Sequence, residues 1–134
     1  MSAPRGDQAV RIMRSSLGRA RGMGSAKSGL GHWWAQRLTS LALLPLALYF
    51  VLSVLLLEGA DQAAMLRYMA EPWNAVLFIA LILALFYHLQ LGLQVVIEDY
   101  IHAEGKRLAS LLAMRAAVGA FGLLALLSVL KLTF

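Results

Sequence analysis

Three long apolar runs constrain this chain more than any other feature of its sequence. Residues 38–57 and 74–97 carry no formal charge, and residues 108–130 carry only Arg115. Each run is at least as long as the roughly 20 residues that an α-helix needs to cross the hydrocarbon core of a bilayer. The runs therefore predict an all-α membrane protein with three transmembrane helices over about these residues.

The composition agrees with a membrane protein and excludes some chemistry. Of the 134 residues, 60% are hydrophobic and only 14% are charged, whereas a soluble domain of this size covers its core with more charge. The chain contains no cysteine. It therefore forms no disulfides, and it cannot hold an iron–sulfur cluster through thiolates.

Positive charge is concentrated before the first apolar run. Residues 1–37 contain seven Lys and Arg against Asp7 alone, whereas the other 97 residues contain five basic and six acidic side chains. A basic tail of this kind is typical of segments that bind a nucleic acid or a membrane surface. The apolar remainder of the chain favours the membrane. The Arg and Ser content of the tail also resembles a mitochondrial transit peptide. We expect residues 1–37 to be a retained, mostly irregular extension with an interfacial segment, followed by a membrane anchor over residues 38–134.

The basic residues also predict an orientation in the membrane. The tail carries seven, the connection 58–73 carries one, and the connection 98–107 carries Lys106 and Arg107. Loops on the cytoplasmic side are enriched in Lys and Arg. The N-terminus is therefore expected in the cytoplasm or the equivalent matrix, and the C-terminus on the opposite side.

One histidine, His88, lies deep in the second apolar run. At ~1.5 Å per residue it is roughly 14 Å from the cytoplasmic end of that run, near the middle of the membrane. Ionisable groups at such a depth usually face a helix bundle, a cofactor or an ion path. Three roles are open: a neutral imidazole bonded to a neighbouring helix, a proton relay, and a haem ligand.

The neighbourhood of His88 favours haem. Gly92 follows one helical turn later on the same face and has no side chain, so a flat macrocycle can approach the helix there. No other acid or histidine lies in the run to continue a proton path. A haem that is ligated on both sides needs two imidazoles, and this chain has only one at membrane depth. The second would therefore have to come from another subunit.

An Asp-Tyr pair closes the same run. Asp99 lies eleven residues after His88, only about 20° from a whole number of turns, so the two side chains share a helix face. Tyr100 follows at the headgroup boundary. The plainer interpretations are a solvated helix end for Asp99 and an aromatic-belt residue for Tyr100.

Two motifs resemble the D-type membrane anchor of succinate dehydrogenase, respiratory complex II. The first is His88, ten intervening residues, and then Asp99-Tyr100. The second is HWWAQRLTS, residues 32–40, in which an arginine followed two residues later by a threonine opens the first run. The resemblance extends over nearly the whole chain from Gly29 onward. The Gly-x-Arg-His-Leu segment of the partner anchor, the C type, does not occur in the sequence, which favours the D type.

The resemblance implies roles for four residues and leaves two interpretations for a fifth, His32. His88 is expected to be one axial ligand of haem b, with the C-type anchor supplying the other. Tyr100 is expected to donate a hydrogen bond to a ubiquinone carbonyl, and Asp99 to help shape that site. Arg37 is expected near the haem propionates and the quinone pocket. His32 is either a propionate contact or an interfacial histidine with no role.

The resemblance also implies the partners and the compartment. We expect a C-type anchor, an iron–sulfur protein and a flavoprotein as the other subunits, in a bacterial or mitochondrial inner membrane. The chain has no flavin motif, so it is not catalytic alone, and succinate oxidation belongs to another subunit. Two competing hypotheses are a non-redox adaptor or assembly protein with a working basic tail, and a proton-coupled transporter that uses His88.

Overall fold

The computed structural model describes residues 28–133, and these residues are almost entirely helical. Helix α1 spans Ser28–Leu56, α2 spans Gln62–Ala70, α3 spans Pro72–Tyr100 and α4 spans Glu104–Thr133. No strand occurs within this described part of the chain. Helices α1, α3 and α4 are each long and apolar enough to cross a membrane. The prediction of an all-α protein with three transmembrane helices is thus confirmed.

The long helices continue beyond the apolar runs that predicted them. Helix α1 has 29 residues, which is about 44 Å of helix against a hydrocarbon core of about 30 Å. Its first turns are formed by residues 28–37, the part of the predicted extension next to the membrane. The remainder of that extension, residues 1–27, lies outside the described residues. The predicted orientation across the membrane stays a prediction.

Local chemistry explains the connection between α1 and α3. Gly59 has a φ of 76°, a left-handed conformation that glycine adopts without a steric penalty. Asp61 then caps α2, because its side chain accepts a hydrogen bond of 2.7 Å from the backbone N–H of Ala64. Pro72 begins α3, at a position where the missing N–H has no partner within a helix. These residues place a short helix where the sequence analysis expected only a charged connection.

Helices α3 and α4 pack closely around a small residue. A Cβ atom added to Gly122 of α4 would lie 3.2 Å from Cγ of Phe86 on α3, so the glycine permits the approach of the two helices. Leu91, Met114 and Val118 are buried on these two helices. Most large apolar side chains are instead exposed, as expected for helices that face lipid or other transmembrane helices.

Candidate functional site

His88 lies against α1, and each of its ring nitrogens faces a side chain of that helix. Thr39 Oγ1 is 2.9 Å from Nδ1 of His88, and Gln36 Nε2 is 3.4 Å from Nε2. His32, one turn before Gln36, shares this face of α1. We refer to His32, Gln36, Thr39 and His88 as the histidine cluster.

The spacing of the α1 residues builds one side of the cluster. Positions 32, 36 and 39 follow the i, i+4, i+7 pattern, which places three polar side chains in one stripe along a helix. Position 88 lies in the middle of the described length of α3. The histidine side chain is half-buried, so the cluster is open on one side rather than enclosed within this chain.

Two polar atoms of the cluster have no hydrogen-bond partner. Nε2 of His32 and Oε1 of Gln36 are both buried, and neither is paired with any atom of the described residues. A buried polar group without a partner costs about 1–3 kcal/mol, and native proteins contain few such groups. The histidine cluster is therefore incomplete in the chain alone, and it can be completed by a bound group or by a neighbouring protein of a complex.

Gly92 lies one turn beyond His88 and borders the same cluster. A Cβ atom added there would lie 3.8 Å from Nε2 of Gln36, which is an ordinary van der Waals distance. The absent side chain leaves the backbone of α3 accessible beside His88. Only the end of the flexible Gln36 side chain lies over it.

The structure does not direct Arg37 into the histidine cluster. Its guanidinium carbon lies 4.8 Å from the ring centroid of Trp33, close enough for a cation–π interaction. Arg37 also borders a shallow surface groove with Trp34 and Leu44. The side chain is exposed on the face of α1 adjacent to Gln36.

The Asp-Tyr pair keeps its helical register with His88. Helix α3 runs unbroken through Tyr100, so Asp99 remains on the helix face that the sequence predicts. Both side chains are exposed, and Tyr100 is 80% exposed. The structure thus leaves Asp99 and Tyr100 at a free surface near the end of α3, apart from the cluster around His88.

A second polar cluster joins α1, α2 and α3 near the other end of α1. The hydroxyl of Tyr49 donates to Oδ1 of Asn74 at 2.6 Å and lies 3.1 Å from the hydroxyl of Tyr68. Tyr68 is also 2.8 Å from Oγ of Ser53, and Asn74 Nδ2 donates to the Tyr68 carbonyl at 2.7 Å. We refer to Tyr49, Ser53, Tyr68 and Asn74 as the tyrosine cluster. The bonds within it link three helices.

His88 and His32 were predicted site residues, whereas no role was predicted for Gln36 or Thr39. The polar stripe at positions 32, 36 and 39 was an available signal, because its spacing marks one helix face at the start of an apolar run. The tyrosine cluster was missed as well. Its members lie in three separate segments, and no local pattern relates them.

The chain is similar to known membrane-anchor proteins. A family model described as succinate dehydrogenase/fumarate reductase transmembrane subunit matches residues 11–122. The chain is 32% identical over 102 residues to the succinate dehydrogenase hydrophobic membrane anchor subunit of Rickettsia bellii, covering 76% of this chain and 82% of the relative. It is 34% identical over 93 residues to the succinate dehydrogenase membrane anchor subunit of Reclinomonas americana, covering 66% and 77%. No solved structure matches the chain.

Proposed function

The chain belongs to the succinate dehydrogenase/fumarate reductase transmembrane subunit family, and from this membership we propose that it is the hydrophobic membrane anchor of a succinate:quinone oxidoreductase. Its three long apolar helices provide the attachment to the bilayer. Without cysteine it cannot hold iron–sulfur clusters, so it works with an iron–sulfur subunit, a flavoprotein subunit and a second anchor of the C type. The complex resides in a bacterial inner membrane or in the mitochondrial inner membrane.

The proposal assigns His88 as one axial ligand of haem b, with the C-type anchor supplying the other. The observation that supports it is the incomplete hydrogen bonding around His88, where Gln36 and His32 each have a buried atom without a partner among the described residues. Gly92 beside them leaves the helix backbone open to a flat ring. These residues fit a haem held through Nε2 of His88, where it would replace the long contact of 3.4 Å with Nε2 of Gln36. When bound, the haem supplies a one-electron redox centre within the membrane.

Two residues of α1 are suited to the carboxylates of the haem. Propionates are anions and require cationic or hydrogen-bonding partners near the membrane edge. Nε2 of His32 is buried and unpaired among the described residues, and an imidazole can donate to a carboxylate. Arg37 is exposed on the neighbouring face, and its stacking on Trp33 holds a positive charge close to that position.

Tyr100 and Asp99 are proposed to form part of the ubiquinone site. The exposed phenol of Tyr100 can donate a hydrogen bond to a quinone carbonyl, which gains negative charge during reduction. Asp99 precedes it at the exposed end of α3 and shapes the polar side of the site. In the proposed complex, another subunit would cover this end of the helix, and the exposed surface of Asp99 and Tyr100 would form one wall of the pocket.

Purification of the native complex through a tag on this chain tests the proposal. We expect a flavoprotein and an iron–sulfur protein to co-purify, together with a visible spectrum of a b-type haem that succinate reduces. A membrane adaptor, an assembly protein or a proton-coupled transporter predicts no such reducible spectrum. Co-purification of the two hydrophilic subunits without haem would retain the anchor role and remove the assignment of His88.

A further inference from the structure

Thr39 makes a contact that determines which nitrogen of His88 carries the proton. A hydroxyl has one proton to donate and two lone pairs that accept. The Thr39 hydroxyl donates to the carbonyl of Ala35 at 2.7 Å, with the Gln36 carbonyl also near at 3.1 Å. Its proton is therefore directed to the backbone of α1. The contact of 2.9 Å with Nδ1 of His88 is then a bond in which the ring N–H donates and Thr39 accepts.

The contact with Gln36 is compatible with the same tautomer. Its Nε2 atom is a donor only, so its contact with Nε2 of His88 requires a lone pair on that ring nitrogen. At 3.4 Å this contact is long for a hydrogen bond. The other end of the amide, Oε1, is buried with no partner among the described residues. Gln36 is thus held weakly at the position that faces the free lone pair of His88.

We propose that Thr39 is a positioning residue that fixes the tautomer and ring orientation of His88, so that the Nε2 lone pair is presented to the haem iron. Metal-ligating histidines almost always donate their other ring N–H to an outer partner, and loss of that partner typically weakens metal binding roughly 10–100-fold. The hydroxyl of Thr39, which donates to the α1 backbone, is the outer partner that accepts the Nδ1–H of His88. The inference deepens the proposed function and rests on the haem assignment.

The side-chain chemistry of threonine suits this role. Two heavy atoms on Cβ restrict its χ1 angle, so the hydroxyl is held in one direction. Valine has nearly the same shape without the hydroxyl, and serine keeps the hydroxyl without the methyl group. Ser40 provides a matched control, because its exposed hydroxyl donates to the Arg37 carbonyl at 2.8 Å and makes no contact with His88.

The test uses the purified complex with Thr39→Val, Thr39→Ser or Ser40→Ala. We expect Thr39→Val to lower haem affinity roughly 10–100-fold and to raise the haem midpoint potential. The potential rises because a ring that no longer donates its Nδ1–H is a poorer electron donor to ferric iron. Thr39→Ser should retain the wild-type potential, and Ser40→Ala should change neither quantity.

Dye-linked succinate oxidation identifies variants that have assembled. If Thr39→Val does not assemble, Thr39→Ala removes the same hydroxyl with a smaller side chain. Haem content and midpoint potential equal to the wild type in the assembled variant overturn the positioning role while the haem assignment stands. A wild-type complex without a b-type spectrum overturns both.

Discussion

The two polar clusters of this chain differ in whether their hydrogen bonds are complete. In the tyrosine cluster, Tyr68 contacts both Tyr49 and Ser53, and Asn74 uses its oxygen and its nitrogen. In the histidine cluster, two buried atoms have no partner within the described part of the chain. Both clusters include residues of α1, but only in the tyrosine cluster do the described residues of the chain complete the hydrogen bonding.

This difference indicates that the tyrosine cluster holds helices together and that the histidine cluster is a binding site. A polar atom that is buried away from water needs a partner within the protein or on a bound group. A complete cluster holds helices together and needs no ligand. An incomplete cluster is destabilising in the isolated chain, and a cofactor or neighbouring protein that pairs its free atoms removes this cost, which favours its binding.

The two clusters are also far enough apart to be altered separately. Thr39 and Tyr49 are ten residues apart on α1, which corresponds to about 15 Å along the helix. Substitutions at sites separated by more than about 10 Å usually have additive effects when they share no partners. Variants in one cluster should therefore affect haem, and variants in the other should affect stability.

The largest effect is expected for His88→Leu. Leucine has no nitrogen to bind iron, and no other histidine of the described chain lies in the middle of an apolar helix. The b-type spectrum of the purified complex should be lost or strongly altered, while dye-linked succinate oxidation by the hydrophilic subunits should persist. An unchanged haem content and spectrum would show that the ligand is elsewhere.

Tyr100→Phe extends the comparison to the exposed end of α3. The substitution keeps the ring and removes only the hydroxyl. If the hydroxyl donates to the quinone, its loss costs ~2–4 kcal/mol in the transition state, so quinone reduction should fall by roughly 30-fold or more. Haem spectrum and dye-linked activity should remain unchanged.

Tyr87→Phe is the matched control for Tyr100→Phe. Tyr87 is also an exposed tyrosine of α3, but it borders a groove toward α4 and has no proposed contact with quinone. Its variant should have the turnover of the wild type. Full quinone turnover in Tyr100→Phe would reject the quinone role, and equal loss in the quinone and dye assays would identify a defect of assembly.

Asn74→Leu should show the opposite pattern to His88→Leu. It removes the acceptor of the Tyr49 hydroxyl and the donor to the Tyr68 carbonyl. Because two bonds of a complete cluster are lost in an apolar setting, we expect a loss of about 1–2 kcal/mol in the free energy of unfolding. Thermal denaturation of the complex in detergent should report a lower melting temperature, with haem spectrum unchanged.

Ser128→Ala is a suitable control for Asn74→Leu. The Ser128 hydroxyl is exposed and donates only to the Leu124 carbonyl of its own helix, so its removal should leave the melting temperature unchanged. A haem spectrum that changes in Asn74→Leu while its melting temperature does not would mean that the tyrosine cluster belongs to the redox site. The distinction between the two clusters would then be wrong.

The three transmembrane helices were predictable because length and absence of charge are local properties. Helix α2 was not predicted, since its nine residues are too few to show a clear period and lie among charges. Its start was nevertheless marked by Asp61, a typical N-cap residue. The extension of α1 back to Ser28 was not predicted either, because polar helical turns outside the membrane give no hydropathy signal.

The site was predictable only in part, for a physical reason. His88 stands out because an ionisable residue within an apolar run is costly. Its contacts with Gln36 and Thr39 join positions 52 and 49 residues apart in the chain. Such pairs depend on how α1 and α3 are rotated against each other, and one sequence alone does not specify that rotation. The i, i+4, i+7 stripe reveals a polar face on α1 but not the partner of that face.

The smallest effect, and the sharpest test of what fills the histidine cluster, is expected for Gly92→Ala. In the chain alone the new Cβ would be 3.8 Å from Gln36 Nε2, so no clash arises. Alanine in a helix interior is more favourable than glycine by roughly 0.5–1 kcal/mol. The melting temperature should therefore stay the same or rise slightly. If a haem approaches the backbone at this position, the methyl group stands in its way, and haem content should fall although the protein is no less stable.

Gly122→Ala separates this effect from a general intolerance of helix glycines. Its Cβ would lie 3.2 Å from Cγ of Phe86, which is tighter than an ordinary contact, so the Phe86 side chain must shift by a few tenths of an ångström. We expect a lower melting temperature with normal haem per assembled complex, the reverse of Gly92→Ala. Haem content at the wild-type level in Gly92→Ala would instead place any macrocycle away from Gly92. The glycine would then serve only to accommodate the Gln36 amide.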